Sequence, residues 1–149
     1  MGDKLIEGLN IKKLSIIEDD RGSLLHMLRD DDELFTTFGE CYFSEVFPEK
    51  IKGWKRHKSQ TQNLAVPIGN VKFVIFDNRK YSKTKGEISE IVLGRSNNYN
   101  RLKIPPGLWY SFKCVSKNKA LIVNCSDKRH DPNESLHLDL NNSEIPYNW

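Results

Sequence analysis

Two stretches decide how this chain folds: Gly53-Trp54-Lys55-Arg56-His57-Lys58-Ser59-Gln60-Thr61-Gln62, closed by Gly69, and Pro105-Pro106-Gly107-Leu108-Trp109-Tyr110. Side chains of a β-strand alternate between its two faces, so Lys55 and His57 share one face if the first stretch is extended. The prolines and glycine of the second stretch are typical of a turn. The pattern predicts a β-structure in which Lys55 and His57 share one face of a strand.

The remaining chain is a series of short apolar runs separated by turn residues. The runs have the length of strands and are rich in β-branched and aromatic residues, which favour strands over helices. One short helical turn is expected at residues 30–35, where acidic residues stand at the N-terminal end. Eight or more such runs predict an antiparallel barrel or sandwich; they are residues 14–17, 23–27, 41–47, 64–66, 71–76, 88–93, 102–104 and 120–123.

Length and composition limit the class of protein. The 149 residues suit one domain, residues 1–149, with 23 basic and 20 acidic residues and a net charge of +3. No arginine-rich tract or basic face suggests nucleic acid as a partner, and no run approaches the roughly 20 apolar residues that span a bilayer. We expect a cytoplasmic protein. The cysteines Cys41, Cys114 and Cys125 form no C-x-x-C pair, so we expect reduced, buried thiols.

The two quoted stretches resemble the paired signature motifs of the cupins, which read Gly, His-x-His, Glu and Gly, followed by Pro-x-Gly-x-x-His. Lys55 and His57 stand at the positions of the paired histidines, Gln62 at the glutamate and Tyr110 at the last histidine. The resemblance implies an all-β fold, the double-stranded β-helix or jelly roll, with mostly antiparallel strands.

In metal-binding cupins these four positions hold a divalent ion. Here an ammonium at Lys55 has no lone pair and repels a cation, while Gln62 and Tyr110 are weak neutral ligands. Only His57 remains as a ligand, so we expect no functional metal and no other cofactor. The disfavoured alternative is a site with one histidine that recruits Glu45.

The polar groups of this interior have more than one interpretation. Lys55 is either an amine at the mouth of the barrel with its charge in water, or a partly desolvated group that acts as a general base or stabilises an enolate. His57 is a hydrogen-bonded barrel residue or the partner of that catalyst. Tyr110 is a half-buried phenol, a surface on which a ring stacks, or a proton donor.

Ordered motifs from residue 19 to residue 149 point to one family: Asp20-Arg21-Gly22, Lys52-Gly53, residues 69–79 and 82–86, Ile104-Pro105-Pro106-Gly107 and Trp149. In this order they resemble the dTDP-4-dehydrorhamnose 3,5-epimerases and the related dTDP-sugar 3,4-ketoisomerases. The resemblance implies a homodimeric jelly roll that binds a nucleotide-diphospho-sugar with a 4-keto group. It also implies proton transfer at carbons next to the ketone.

The epimerase pattern carries over only in part. Its catalytic histidine falls on Lys55, and its tyrosine acid falls near Val123, with Asn124 beside it. The aspartate that orients the histidine falls near Asn142, with Asp139 close enough to replace it. The resemblance therefore implies that the usual histidine and tyrosine pair is absent.

The ketoisomerase pattern, Arg-Gly-x-His-x-His-Lys and then Gln, is closer to residues 52–58 and Gln62. Its active tyrosine lies on the preceding strand, where an ungapped match gives Phe43 and a shift of one residue gives Tyr42. Since alternate residues share a face, the residue that points inward is either Tyr42 or Glu45.

The family also implies residues for the nucleotide end. Arg21 and Lys52 match residues that meet the diphosphate, where a permanent cation pairs with phosphate oxygens. We place Gln62, Trp109 and Asn124 with them as substrate-binding residues.

Two functions follow. The first is an isomerase or epimerase of nucleotide-activated keto sugars in surface-polysaccharide or deoxysugar biosynthesis, with Lys55 and His57 as catalytic residues and Tyr42, Glu45 or Tyr110 as the source of the second proton. The alternative is a cupin that binds the nucleotide sugar without turnover. In both cases we expect a homodimer that exchanges an N-terminal strand from residues 14–27 and completes the pocket with Arg21 of the second copy.

We predict that the purified protein carries no stoichiometric transition metal, because Lys55 and Gln62 cannot replace an imidazole and a carboxylate as ligands. Elemental analysis after mild chelation measures this directly. About one iron, manganese or zinc per chain retained after chelation would contradict the prediction.

Overall fold

A computed structural model describes residues 5–96 and 98–149. These residues form twelve β-strands and contain no helix long and apolar enough to cross a membrane. The strands are β1 (Asn10–Lys13), β2 (Ile16–Asp19), β3 (Gly22–Leu25), β4 (Glu40–Val46), β5 (Ile51–His57), β6 (Gln62–Ile68), β7 (Asn70–Phe76), β8 (Ile88–Gly94), β9 (Asn100–Ile104), β10 (Trp109–Cys114), β11 (Ala120–Ser126) and β12 (Ser135–His137).

Ten of the strands form two five-stranded sheets. The first has the order β1-β9-β6-β11-β4 and the second β12-β5-β10-β7-β8, and every paired strand is antiparallel. β2 and β3 pair with each other as a separate hairpin. The prediction of an all-β, antiparallel jelly roll is confirmed. The main core consists of buried apolar side chains from both sheets, and it includes Val46, Leu64, Val66, Phe73, Ile75, Leu93, Leu102, Ile104, Leu108 and Ile122.

The second sheet is covered on both faces, and the C-terminal tail covers the outer one. Along β7, Phe73 and Ile75 enter the main core, while Val74 and Phe76 enter a second cluster on the opposite face with the tail residues Ile145, Tyr147 and Trp149. The Trp149 indole donates a hydrogen bond to Ser111 Oγ at 3.0 Å. The terminal tryptophan therefore packs back on the fold, and this fixes the outer face of the sheet that carries β5.

The approach of β5 to β10 requires glycine at position 53. Gly53 has a φ of 130°, and a Cβ added there would lie 2.5 Å from Ser111 Cβ. A side chain would therefore be strained and would also push the strands apart. The pairing of β5 with β10 shifts register at this point, and Lys55 beyond it lies between Tyr110 of β10 and His137 of β12.

Two smaller expectations were wrong. Residues 30–35 form turns and bends rather than a helical turn, because Asp32 accepts hydrogen bonds from the Leu34 backbone N–H, Lys12 and the buried Arg101. The cysteines are not all buried, since Cys41 is exposed while Cys114 and Cys125 are buried. Cys41 lies on the outer face of β4, which neither sheet covers.

Candidate active site

Two adjoining cavities lie between the sheets near β4, β5 and β12. The polar cavity has a volume of about 400 Å³ and includes Glu40, His57 and Glu134 in its lining. The mixed cavity has a volume of about 300 Å³ and is lined by groups that include Ser44, Lys52, Tyr110, Asn124 and His137. Tyr42 and Lys55 line both. Their combined size is that of a small-molecule site.

Lys55 is half-buried on the inward face of β5, as the alternation of the strand predicts. The lining of both cavities includes it, so its amine is available to a ligand from either side. Among the residues that the structure describes, no acceptor forms a hydrogen bond or ion pair with its Nζ. A cavity lysine without a protein partner is a candidate to act on a bound molecule.

His57 points inward from the same strand and is held at both ring nitrogens. Its Nδ1 lies 2.7 Å from Glu134 Oε2, and its Nε2 lies 3.2 Å from the Tyr110 hydroxyl. Glu134 also accepts hydrogen bonds from the backbone N–H groups of Ser59 and Gln60 at 2.7 and 2.8 Å. Because a carboxylate can only accept, Nδ1 carries the hydrogen, and Nε2 accepts from the phenol.

The electrostatics of this triad follow from its burial. Burial acts to raise the pKa of Glu134, but hydrogen bonds from His57, Ser59 and Gln60 outweigh it and lower the pKa to about 2. Burial lowers the pKa of His57, and the bond to Glu134 opposes this only in part. Burial raises the pKa of the Tyr110 hydroxyl well above its ordinary range. At neutral pH the triad is therefore a carboxylate, a neutral imidazole and a phenol.

A second polar network faces the triad from the first sheet. The Asn124 amide nitrogen donates to Tyr42 Oη at 2.8 Å and to Gln62 Oε1, and Gln62 Nε2 donates to Gln60 Oε1 at 3.1 Å. Since the Tyr42 oxygen accepts a bond from Asn124, its own hydrogen remains for a ligand. Asn124 Oδ1 is buried without a hydrogen-bond partner within the described part of the chain. The network thus leaves the Tyr42 hydrogen for a ligand, while Asn124 Oδ1 is a buried acceptor without a partner in the described residues.

The predicted phosphate-binding residues lie apart. Lys52 lines the mixed cavity, where its ammonium donates to Ser44 Oγ at 3.1 Å and to the Glu45 carbonyl at 2.7 Å. Arg21 lies at the tip of the β2–β3 hairpin, where it pairs with Asp19 and its side chain is 85% exposed. The structure therefore brings Lys52 to the site and leaves Arg21 outside the cavities of its own chain.

Two predicted site residues face away from the cavities. Glu45 shares the outer face of β4 with Phe43 and pairs with Lys119 at 3.0 Å, so alternation selects Tyr42 as the inward residue. The alternative metal site that recruits Glu45 is wrong for the same reason. Trp109 lies on the face of β10 opposite Tyr110, under the C-terminal tail, with the Arg56 guanidinium 4.9 Å from its ring centroid.

Glu134 is the site residue that the sequence did not reveal. The epimerase pattern had placed the partner of the histidine near Asn142 or Asp139, but the Asn142 side chain donates to the Asp139 carbonyl within the tail. Glu134 is 77 residues from His57 in the chain and reaches it because β12 pairs with β5, with Ser135 opposite His57. No local motif marks this position.

The donor atoms of the site are not those of a metal centre. Across residues 5–96 and 98–149, no group of three or more His, Cys, Asp or Glu side chains could hold a metal ion. At the other three cupin positions, Lys55 lines the cavities, and Gln62 and Tyr110 form the hydrogen bonds described above. The absence of a bound metal stays a prediction.

Comparison with known proteins shows which family this chain is similar to. A family model described as dTDP-4-dehydrorhamnose 3,5-epimerase matches residues 3–149. A crystal structure of a dTDP sugar isomerase from Desulfovibrio desulfuricans G20 is similar with a TM-score of 0.95 and 42% identity, covering 97% of this chain and 92% of that one. The spore coat polysaccharide biosynthesis protein SpsL of Bacillus subtilis is 29% identical over 147 residues, 97% of each chain. A protein of Haloferax volcanii described as "Probable low-salt glycan biosynthesis epimerase Agl13" is 29% identical over 95% of this chain and 88% of its own length.

We predict that Glu134→Gln destabilises the protein at pH 7, and that the free energy of unfolding of the variant decreases less than that of the parent as the pH falls. The pKa of Glu134 is about 2 in the folded state, against about 4.3 in an unfolded chain, so its stabilisation of about 3 kcal/mol is present above pH 4.3 and disappears as the pH falls towards 2. The lowered pKa of His57 also makes the protein less stable in acid, because the unfolded chain binds a proton at this histidine before the folded chain does as the pH falls below about 6.5.

Urea unfolding of the parent and the variant at pH 7, 5 and 3 measures this effect. Glu45→Gln is the matched control, because its ion pair with Lys119 is exposed and contributes less than about 1 kcal/mol. Parallel pH curves for the parent and Glu134→Gln would contradict the assigned role of the carboxylate.

Proposed function

Because this chain belongs to the dTDP-4-dehydrorhamnose 3,5-epimerase family, we propose that it moves a proton at the carbon next to the ketone of a nucleotide-activated 4-keto hexose. The family is one of nucleotide-sugar epimerases, and we place the reaction in the cytoplasmic supply of sugars for a surface polysaccharide such as lipopolysaccharide. The observation that carries the proposal is the pair Lys55 and Tyr42, which line both cavities and offer a ligand an amine and a hydroxyl hydrogen.

In the proposed reaction the Lys55 amine acts as the base. It takes the proton from the carbon beside the ketone, and the electron pair moves to the ketone oxygen to form an enolate. The new ammonium stabilises that negative charge. Tyr42 then returns a proton from the other side, since the bond from Asn124 leaves its hydrogen free. Tyr42 recovers its proton from water, and Lys55 releases its proton to water, so the reaction is balanced.

His57 is better suited to positioning than to proton abstraction. Both of its ring nitrogens are engaged, and its side chain is only 6% exposed. The triad of Glu134, His57 and Tyr110 instead forms a fixed polar wall beside Lys55. A fixed wall holds the substrate in the geometry that proton transfer needs.

The diphosphate is proposed to lie along the mixed cavity near Lys52. The ammonium of Lys52 donates hydrogen bonds to a serine hydroxyl and a backbone carbonyl, which are neutral acceptors. Negatively charged phosphate oxygens can take the place of these acceptors and form stronger hydrogen bonds with the ammonium. The buried acceptor at Asn124 Oδ1 supports a bond to a sugar hydroxyl in the same cavity.

We predict that Lys55→Met lowers deuterium exchange into a dTDP-4-keto-6-deoxyhexose by about 10²–10⁴-fold, because a general base contributes that much to the rate. Lys55→His should restore part of the exchange, since imidazole is also a base. Lys55→Arg should not, since guanidinium stays protonated. Tyr42→Phe should retain exchange but lose inversion, because only the second proton is missing. NMR of the sugar in deuterated water distinguishes exchange from inversion.

The matched control is Glu45→Gln, a carboxylate of the same strand on the outer face, which should react like the parent. Activity in Lys55→Arg equal to the parent would show that the charge, not the base, is needed. Exchange absent in the parent despite tight binding of the nucleotide sugar would favour a binding protein without turnover.

We also propose a homodimer in which the β2–β3 hairpin of one copy reaches the site of the other. One face of this hairpin packs within its own chain through Ile16 and Leu25, but Ile17 and Leu24 on the other face are 60% and 56% exposed. The contact would bring Arg21 of the second copy to the diphosphate. Light scattering at micromolar concentration should give twice the chain mass of 17.3 kDa. Charged substitutions at Ile17 and Leu24 should give monomers, whereas a monomeric parent would contradict the proposal.

A further inference from the structure

Cys41 and Cys125 form a pair of thiols on the outer face of the first sheet. They are directly opposite each other in the pairing of β4 with β11, and their sulfur atoms lie 3.3 Å apart. Opposite residues of antiparallel strands have Cα atoms about 4.5–5.5 Å apart, within the range that a disulfide bridges. The two thiols can therefore join without moving either strand to a new register.

The two thiols differ in their access to solvent. Cys41 is exposed, whereas Cys125 on the neighbouring strand is buried. Burial, followed by the contact with Cys41, raises the pKa of Cys125 to about 12, so Cys125 is not the thiol that reacts first. An exposed thiol beside a buried one is the arrangement in which the first traps a reagent and the second resolves it.

The pair also adjoins the active site. Side chains alternate across the strands, so the next residues, Tyr42 on β4 and Asn124 on β11, point into the cavities and hydrogen-bond to each other. A covalent link between Cys41 and Cys125 would fix the spacing of the two strands at the point where they hold the Tyr42 hydroxyl.

We propose that Cys41 and Cys125 are a reversible redox site that takes a small disulfide of the glutathione type. The Cys41 thiolate attacks one sulfur of the small disulfide, forms a mixed disulfide and releases one small thiolate. Cys125 then loses its proton to water and attacks the Cys41 sulfur, which forms the Cys41–Cys125 bond and releases the second small thiolate; each released thiolate takes up a proton from water and becomes the thiol. The small disulfide is reduced by two electrons, the two cysteines are oxidised by two electrons, and an added dithiol reverses both steps.

The reduced full-length protein is treated with excess oxidised glutathione at pH 8, quenched with acid and measured by intact mass and peptide mapping. The parent should lose two hydrogens per chain, keep no glutathione, and yield one cross-linked peptide pair. Cys125→Ser should hold one glutathione on Cys41, because nothing resolves the mixed disulfide. Cys41→Ser should react at least roughly tenfold more slowly, because the remaining thiols are buried.

Cys114→Ser is the matched control, since it removes a buried thiol that is not part of the pair, and it should behave like the parent. The oxidised parent should unfold at a higher Tm than the reduced parent, because the bond closes a loop between positions that are 84 residues apart. The proposal is overturned if the parent keeps glutathione on Cys41, forms cross-links between chains, or does not react.

Discussion

The alternation of side chains from Trp54 to His57 along β5 is the constraint on which the rest of this structure depends. Lys55 and His57 point between the sheets, while Trp54 is fully buried on the other face against the C-terminal tail. A slip of one residue would put the indole among the polar groups and the charge under the tail. Just before this segment, around Gly53, the pairing of β5 with β10 shifts register, and only glycine allows the two strands to approach there at Ser111.

Polar groups are tolerated in the interior because nearly every one of them has a hydrogen-bond partner. A buried polar group without a hydrogen bond costs free energy, so proteins pair such groups or leave them to a ligand. Glu134 satisfies three donors at once, from His57 and from the backbone of Ser59 and Gln60. In the described chain, the Lys55 amine lines both cavities without such a partner, and Asn124 Oδ1 is buried without one.

The two tyrosines of the site differ in whether their hydroxyl proton is available, because their surroundings differ. Tyr110 is buried and donates its hydrogen to His57, so its proton is occupied. Tyr42 is partly exposed and accepts from Asn124, so its proton is available. The two phenols lie on facing sheets, and only the one at the rim can exchange its proton with water.

The sequence by itself determined the fold class and the face of β5, because both follow from the two-residue period of a strand and from glycine and proline at turns. It placed Lys55 and His57 together for the same reason. It left Tyr42 and Glu45 undecided, since period alone does not say which face of β4 is covered. It also missed Glu134 and misplaced Trp109. Those positions were decided by tertiary structure: the pairing of β12 with β5 brings Glu134 to His57 across 77 residues, and the C-terminal tail covers the face of β10 that carries Trp109.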